Sequence, residues 1–298
     1  MRAAASARGD QAEGLRRLIG RRGLRITLFV SGSRRAGCTT AAVGMALAAV
    51  QRGSSVMLLD ESRSPTDSAA LCGLTPRLDL LDAMRGERAL EEVILPGPEG
   101  LLILPAARAM RAGDTFGAGA RATMETGFGR LSTTVDTLMI DAARAASTRL
   151  LPLALSAQDV VIPVAEDGDN LTATYALLKL LNREVGLQRA RLVASRVRRE
   201  DRMREHCERL IGAARHYLGV RADMLATVPF DPVVQRAAAL ARPLMQAFPA
   251  APAAQALRAC TEALLRQPPA PQAGSPVGAL VQRLLHGSRL ELSSLAFA

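Results

Sequence analysis

The sequence predicts an α/β protein with a mainly parallel sheet and helices on both faces. Three observations carry that expectation. Short apolar runs rich in β-branched residues recur along the chain, and segments of helical periodicity separate them, which is how parallel sheets are built. The first run leads into a glycine-bounded loop and then an Ala-rich helix. Two later runs end in aspartate, at Asp60 and Asp141, and the C-terminal ends of parallel strands face the ligand crevice.

The elements follow in order. Asp10-Gln11-Ala12-Glu13 is a helix-start signature, with Asp as N-cap and Glu three residues later. Leu15, Leu18 and Ile19 follow at helical spacing among Arg16, Arg17, Arg21 and Arg22. This short amphipathic helix either packs on the domain or serves as a detachable peptide for a partner. Arg25 to Val30 is the first buried strand. The loop Gly32-Ser33-Arg34-Arg35-Ala36-Gly37-Cys38-Thr39-Thr40 comes next, with a helix starting near Thr39. Strand, loop and helix have the frame of a P-loop, Gly-x4-Gly-Lys-Ser/Thr, except that Cys38 stands where the lysine belongs.

The loop N–H groups and the helix N-terminus still attract an anion. The missing lysine removes a charge-assisted hydrogen bond, which weakens binding about ten- to a hundredfold. Phosphoryl transfer suffers more, because that charge offsets the one developing during reaction. Arg34 and Arg35 are candidate replacements. Cys38 itself is either a small filler or, at a helix N-terminus, a redox-sensitive thiol.

Ser55 to Asp60 is the second strand. Leu78–Met84 and Ala89–Val93 are expected as short helices, Gly100–Pro105 as the third strand, and Arg108–Thr134 as helical in part. Thr137-Leu138-Met139-Ile140-Asp141 has a Walker B pattern, whose carboxylate holds a magnesium ion or its water. Val160–Val164, Arg191–Ser195 and Leu225–Pro229 supply further strands, with helices at Leu171–Val185 and Asp201–Leu218 between them. Val233–Ala241 and Ala253–Leu265 close the domain. The boundaries expected are an N-terminal segment 1–22, a domain 23–266, a Pro-rich linker 267–276 and a tail 277–298. In the tail, Val277, Leu280, Val281, Leu284 and Leu285 form one apolar helical stripe. Such a stripe suits a membrane surface, a partner groove or docking on its own domain.

Composition excludes several function classes. No apolar run approaches the ~18 residues of a membrane span, and the N-terminus lacks a signal-peptide core. Four cysteines without a Cys-x-x-Cys pair, and three histidines (His206, His216, His286) without ligand spacing, suggest a reduced cytoplasmic protein lacking a structural metal. The net charge is +10, yet Lys179 is the one lysine among 38 basic residues, which reflects composition more than a binding face. The cluster Arg196, Arg198, Arg199, Arg202 and Arg204 is interleaved with acids and reads as a solvated helix face. The alternative is a nucleic-acid or acidic-partner patch.

With these pieces placed, the chain resembles the MinD/ParA class of P-loop ATPases, and within it the FlhG (FleN) flagellar-number regulators. The most specific marker is Asp10-Gln11-Ala12-Glu13-Gly14-Leu15-Arg16, similar to the motif by which that family stimulates its GTPase partner FlhF. Similar too are Leu80–Glu87, Gly97–Ala106, Tyr175–Lys179 and Val228-Pro229-Phe230-Asp231, and the tail resembles the family's membrane-targeting helix. The resemblance implies an ATP- and magnesium-dependent dimer that cycles on the inner membrane. Its partner is an FlhF-like GTPase or a flagellar transcription regulator. Thr39, Asp60 and Asp141 would form the magnesium site.

The departures lie where that cycle operates. The family's Lys-Gly-Gly-Val-Gly-Lys-Thr reads here Ser33-Arg34-Arg35-Ala36-Gly37-Cys38-Thr39, so both lysines are gone. Ser62, Ala173 and Ser195 stand where the family has Asp, Asp and Asn. The expectation is a peripheral membrane regulator in which ATP and magnesium binding is weak or absent, a pseudo-ATPase working through partners. The rivals are an active ATPase switch using Arg34 or Arg35, and a ParA-like DNA-partitioning protein. The N-terminal motif argues against DNA.

Overall fold

Eight strands form one sheet: β1 (Arg25–Phe29), β2 (Val56–Asp60), β3 (Leu95–Pro96), β4 (Leu102–Pro105), β5 (Thr137–Asp141), β6 (Asp159–Ala165), β7 (Arg189–Val197) and β8 (Arg221–Pro229). Their order is β3-β4-β2-β5-β1-β6-β7-β8. All neighbours run parallel except the short edge pair β3–β4. The computed structural model describes residues 24–33, 35–62, 67–112, 118–142, 156–269 and 278–282.

The central strands are buried on both faces, which is why they are continuous apolar runs rather than alternating ones. Ile26, Leu28, Met57 and Leu59 point into one apolar layer, while Phe29, Val56 and Leu58 point into the other. The second layer is covered by α1 (Cys38–Gln51), α8 (Pro232–Ala239), α9 (Leu244–Ala247) and α10 (Pro252–Arg266). The first is covered by α3 (Leu80–Met84), α4 (Leu90–Val93), α5 (Ala118–Thr134), α6 (Gly168–Val185) and α7 (Glu200–Leu218). The one-turn α2 (Ser68–Leu71) sits beyond the end of β2.

Several boundaries differ from expectation for local reasons. The helix after the loop starts at Cys38 rather than Thr39, because Gly37 adopts the left-handed conformation that turns the chain (φ 81°). The helix expected from Leu78 starts at Leu80, where Asp79 and Asp82 form a capping box. β3 escapes sequence reading because it is two residues long and contains a proline.

Leu280 and Val281 are fully buried in the layer of α6 and α7, so these two residues of the tail stripe pack on the domain itself. Val277, Leu284 and Leu285 lie outside the described residues, as do the N-terminal motif (Asp10, Gln11, Ala12, Leu15, Arg16), Arg34 and His286. Among the described residues no helix is long and apolar enough to cross a membrane.

At the N-terminal ends of the strands, charge is buried in pairs. Arg25 Nη2 and Nε donate to Asp159 at 2.7 and 3.0 Å, and Arg25 also caps the last carbonyls of α10 through Leu264 O. Arg191, 2% exposed, bridges Asp223 at 2.9 Å and Asp159 at 3.6 Å.

Candidate functional site

β1, β2 and β5 end side by side, and the chain turns from β1 into the glycine-bounded loop at that edge. Cα pairing sets Asp60 opposite Asp141 and Phe29 opposite Asp141. Paired residues of neighbouring parallel strands share a face about 4.8 Å apart, so the two carboxylates are neighbours. Both are buried, at 3% and 0% exposure. Burial first, and then the Asp141 charge, push the Asp60 carboxyl well above its ordinary range.

Protein donors already hold these oxygens. Asp60 accepts from the backbone N–H of Ser62 at 2.9 Å and of Ala69 at 3.3 Å. Asp141 accepts from the Ser68 hydroxyl at 3.1 Å and is hydrogen-bonded to the Cys38 side chain. The Cys38 thiol is buried and pushed far up, first by burial and then by Asp141. This weighs against the redox-sensitive reading, because burial and a neighbouring carboxylate both disfavour the thiolate.

The loop is held from outside. A Cβ on Gly32 would come within 2.5 Å of the Ala173 carbonyl, so only glycine lets the loop lie this close to α6. A Cβ on Gly37 would stand 2.9 Å from the Ser195 hydroxyl. Ala173 and Ser195 therefore abut the loop's two glycines. The Ser31 hydroxyl donates to Ser33 O at 2.8 Å, and the Asn170 amide donates to the Ser33 hydroxyl. Asn170 is in turn fixed by accepting from Ala165 N at 2.9 Å. Arg196 Nη1 donates to Arg35 O at 3.0 Å. Ala36 is buried, Thr39 and Thr40 are half-buried, and no side chain caps the N-terminus of α1.

The structure thus brings Gly32, Ser33, Arg35, Ala36, Gly37, Cys38, Thr39, Thr40, Asp60 and Asp141 to one edge. Sequence reading missed Ser68, Asn170 and the role of Arg196; none of them carries a motif of its own. Part of the arginine cluster is engaged. The Arg198 guanidinium lies 3.6 Å over the Phe230 ring, Arg204 pairs with Asp201 at 3.2 Å, and Glu166 accepts from the backbone N–H of Arg198 and Arg199. Those hydrogen bonds lower the Glu166 carboxyl from its ordinary value. His206 and His216 sit on α7, and the described residues contain no group of three metal-ligating side chains.

Magnesium and triphosphate make different demands on this edge. Two buried like-signed carboxylates, with Thr39 in the first turn of α1, are the kind of oxygen donors that magnesium takes. The phosphates find glycines and a helix N-terminus but a neutral, buried thiol where a cation is needed, so the residues do not fit triphosphate transfer.

The sheet order and the loop at its edge define the MinD-like fold of P-loop nucleoside triphosphatases. MinD in the MinC–MinD complex of Aquifex aeolicus superposes with a TM-score of 0.64 at 19% identity, over 84% of this chain and all of that one. MinD of Pyrococcus horikoshii, solved with Mg-ADP, gives 0.62 at 21% identity, over 81% and 96%. At these identities the likeness concerns the fold alone. In sequence, the chain resembles the antiactivator FleN of Pseudomonas aeruginosa, at 29% identity over 239 residues, 80% of this chain and 85% of FleN. An uncharacterized ATP-binding protein of Methanocaldococcus jannaschii is 26% identical over 77% of this chain and 83% of its own length. No protein-family model matches.

Proposed function

We propose that this protein is a FleN-like regulator of flagellar number or placement that works through partner and membrane contacts rather than ATP turnover. The observation that carries the assignment is the likeness to FleN along most of both chains. The site geometry supports the second half of the reading. Cys38 is neutral and buried, and donors from α2 and the loop before it hold the carboxylates that a magnesium nucleotide would need.

In this reading the segment 1–22 carries the partner contact through Asp10, Gln11, Ala12, Leu15 and Arg16, toward an FlhF-like GTPase or a flagellar transcription regulator. The linker 267–276 leads to the tail 277–298, whose stripe meets the inner-membrane surface from the cytoplasm. Because Leu280 and Val281 are buried in the domain, membrane contact requires this helix to leave its seat. ATP and magnesium bind weakly or not at all, and a homodimer, if formed, does not await nucleotide.

The test is a clean chromosomal deletion, with flagella counted by electron microscopy. Altered number or position, restored equally by wild type and by Asp141→Ala, supports the proposal. Normal flagellation and motility in the deletion would defeat it.

A further inference from the structure

Side chains from two distant elements tie down the P-loop. From α6, the Asn170 amide donates to the Ser33 hydroxyl. Asn170 is itself fixed: its backbone N–H donates to the Asp167 cap at 2.8 Å, and its side-chain oxygen accepts from Ala165 N at 2.9 Å. From β7, Arg196 Nη1 donates to Arg35 O at 3.0 Å, and the Ser195 hydroxyl lies against Gly37. The ties fall on both sides of the loop's midpoint, and Gly37 leads straight into α1.

The β7 tie is aimed at a conformational cost. Arg196 adopts φ 57°, a region a non-glycine residue rarely occupies. Around it β7 takes three steps, from Ala194 to Val197, while β8 takes two, from Thr227 to Pro229, which is a β-bulge. Ser195 and Val197 are buried on either side, and Arg196 is exposed. Bulges re-aim a side chain, and such strain persists only where the surroundings over-determine it. Here the strain places a guanidinium on the Arg35 carbonyl, a charge-assisted hydrogen bond from sheet to loop.

We propose that Arg196 and Asn170 form a latch that keeps the P-loop and the first turn of α1 ordered without nucleotide, with Arg196 as its main positioning residue. Ordering a loop costs conformational entropy, which either a ligand or the chain's own side chains can offset. Here the side chains do so from α6 and β7. The consequence is regulatory. Nucleotide has no loop left to order, so this edge of the sheet presents one surface to partners whether or not ATP is present. That consequence, though not the latch geometry, rests on the reading that partner contacts rather than ATP turnover carry the function.

The experiment is hydrogen–deuterium exchange of the full chain, read by mass spectrometry on peptides covering residues 35–41, with and without millimolar magnesium ATP. Among these amides is Ala41 N, which donates to Gly37 O at 2.9 Å. Expected in the wild type is protection without nucleotide, altered less than about threefold by magnesium ATP. Arg196→Gly removes the guanidinium while accepting the positive φ, and should quicken these amides about tenfold while those of β5 stay as slow as before. Ser33→Ala leaves the bulge intact, breaks the Asn170 tie and should quicken them about threefold or more. Arg209→Ala, on the exposed face of α7, should change nothing. If β5 also quickens in Arg196→Gly, the fold has been lost and Ser33→Ala decides. Loop amides that exchange in the wild type as fast as an unstructured peptide would overturn the proposal. So would an Arg196→Gly loop that changes less than about threefold, or magnesium ATP that slows the wild-type loop by more than that. The regulator reading stands or falls separately, on the deletion phenotype.

Discussion

The two ends of the parallel sheet both bury charge, and they do so in opposite ways. At the N-terminal ends of the strands, Arg25, Arg191, Asp159 and Asp223 alternate in sign and satisfy one another within 2.7–3.6 Å. At the C-terminal ends, Asp60 and Asp141 carry the same sign, and burial pushes Asp60 toward its protonated form. An alternating network is self-sufficient and needs nothing from outside. A like-signed pair is a disadvantage to folding alone, because each buried charge raises the cost of the other. The first end is structural; the second lies beside the glycine-bounded loop, where Cys38 stands at the lysine position of the P-loop pattern.

The largest effect should come from breaking the alternating end. Arg191→Met removes the partner that Asp159 and Asp223 share, leaving Asp159 to Arg25 and Asp223 to Arg189, and should cost about 2–3 kcal/mol in urea denaturation. A loss under about 1 kcal/mol would mean that the network is not a stabilising element. Next, Gly32→Ala drives a methyl into the Ala173 carbonyl and should cost about 2 kcal/mol, read by the same denaturation curve. Little change would show that the loop does not lie against α6.

The like-signed end should respond in the other direction. Asp60 has its folded pKa raised above the ~3.9 of an unfolded aspartate. Its contribution is therefore fully present below pH ~4 and is lost as pH rises through the raised folded value. Asp141→Asn removes the neighbouring charge, lowers the Asp60 pKa and should stabilise the protein by about 1 kcal/mol at pH 8, with less effect at pH 5. Thermal melts across that range check it, and a destabilised variant at pH 8 would contradict the like-charge picture. The smallest effect concerns the thiols. Burial pushes Cys72 and Cys260 up to about 12 and Cys207 to about 11, and pushes Cys38 up as well. Native iodoacetamide labelling at pH 7.5 should therefore find Cys38 no faster than the others.

The asymmetry between the ends also explains what was legible in the sequence. Asp60 and Asp141 could be found because each ends an apolar run, and strand ends are where parallel sheets place ligand chemistry. The loop could be found because its glycines keep P-loop spacing. Arg25 and Arg191 gave no such sign. An arginine inside a strand run looks exposed, and Asp159 becomes its neighbour only through a strand order that joins residues 134 apart. Asn170 and Ser68 stayed hidden for the same reason, since each acts on a residue distant in sequence. Arg196 was visible only as one of five clustered arginines. The bulge that sets it apart depends on register with β8, which no local pattern encodes.

The most direct test of the central claim is steady-state phosphate release from magnesium ATP by the full chain, beside Asp141→Ala. Release at blank level, equal in both proteins, is the expected result for a site that kept its carboxylates and lacks a phosphate-binding lysine. Turnover by the wild type that Asp141→Ala abolishes would contradict it, and would make this protein a working ATPase with an arginine in the lysine's place.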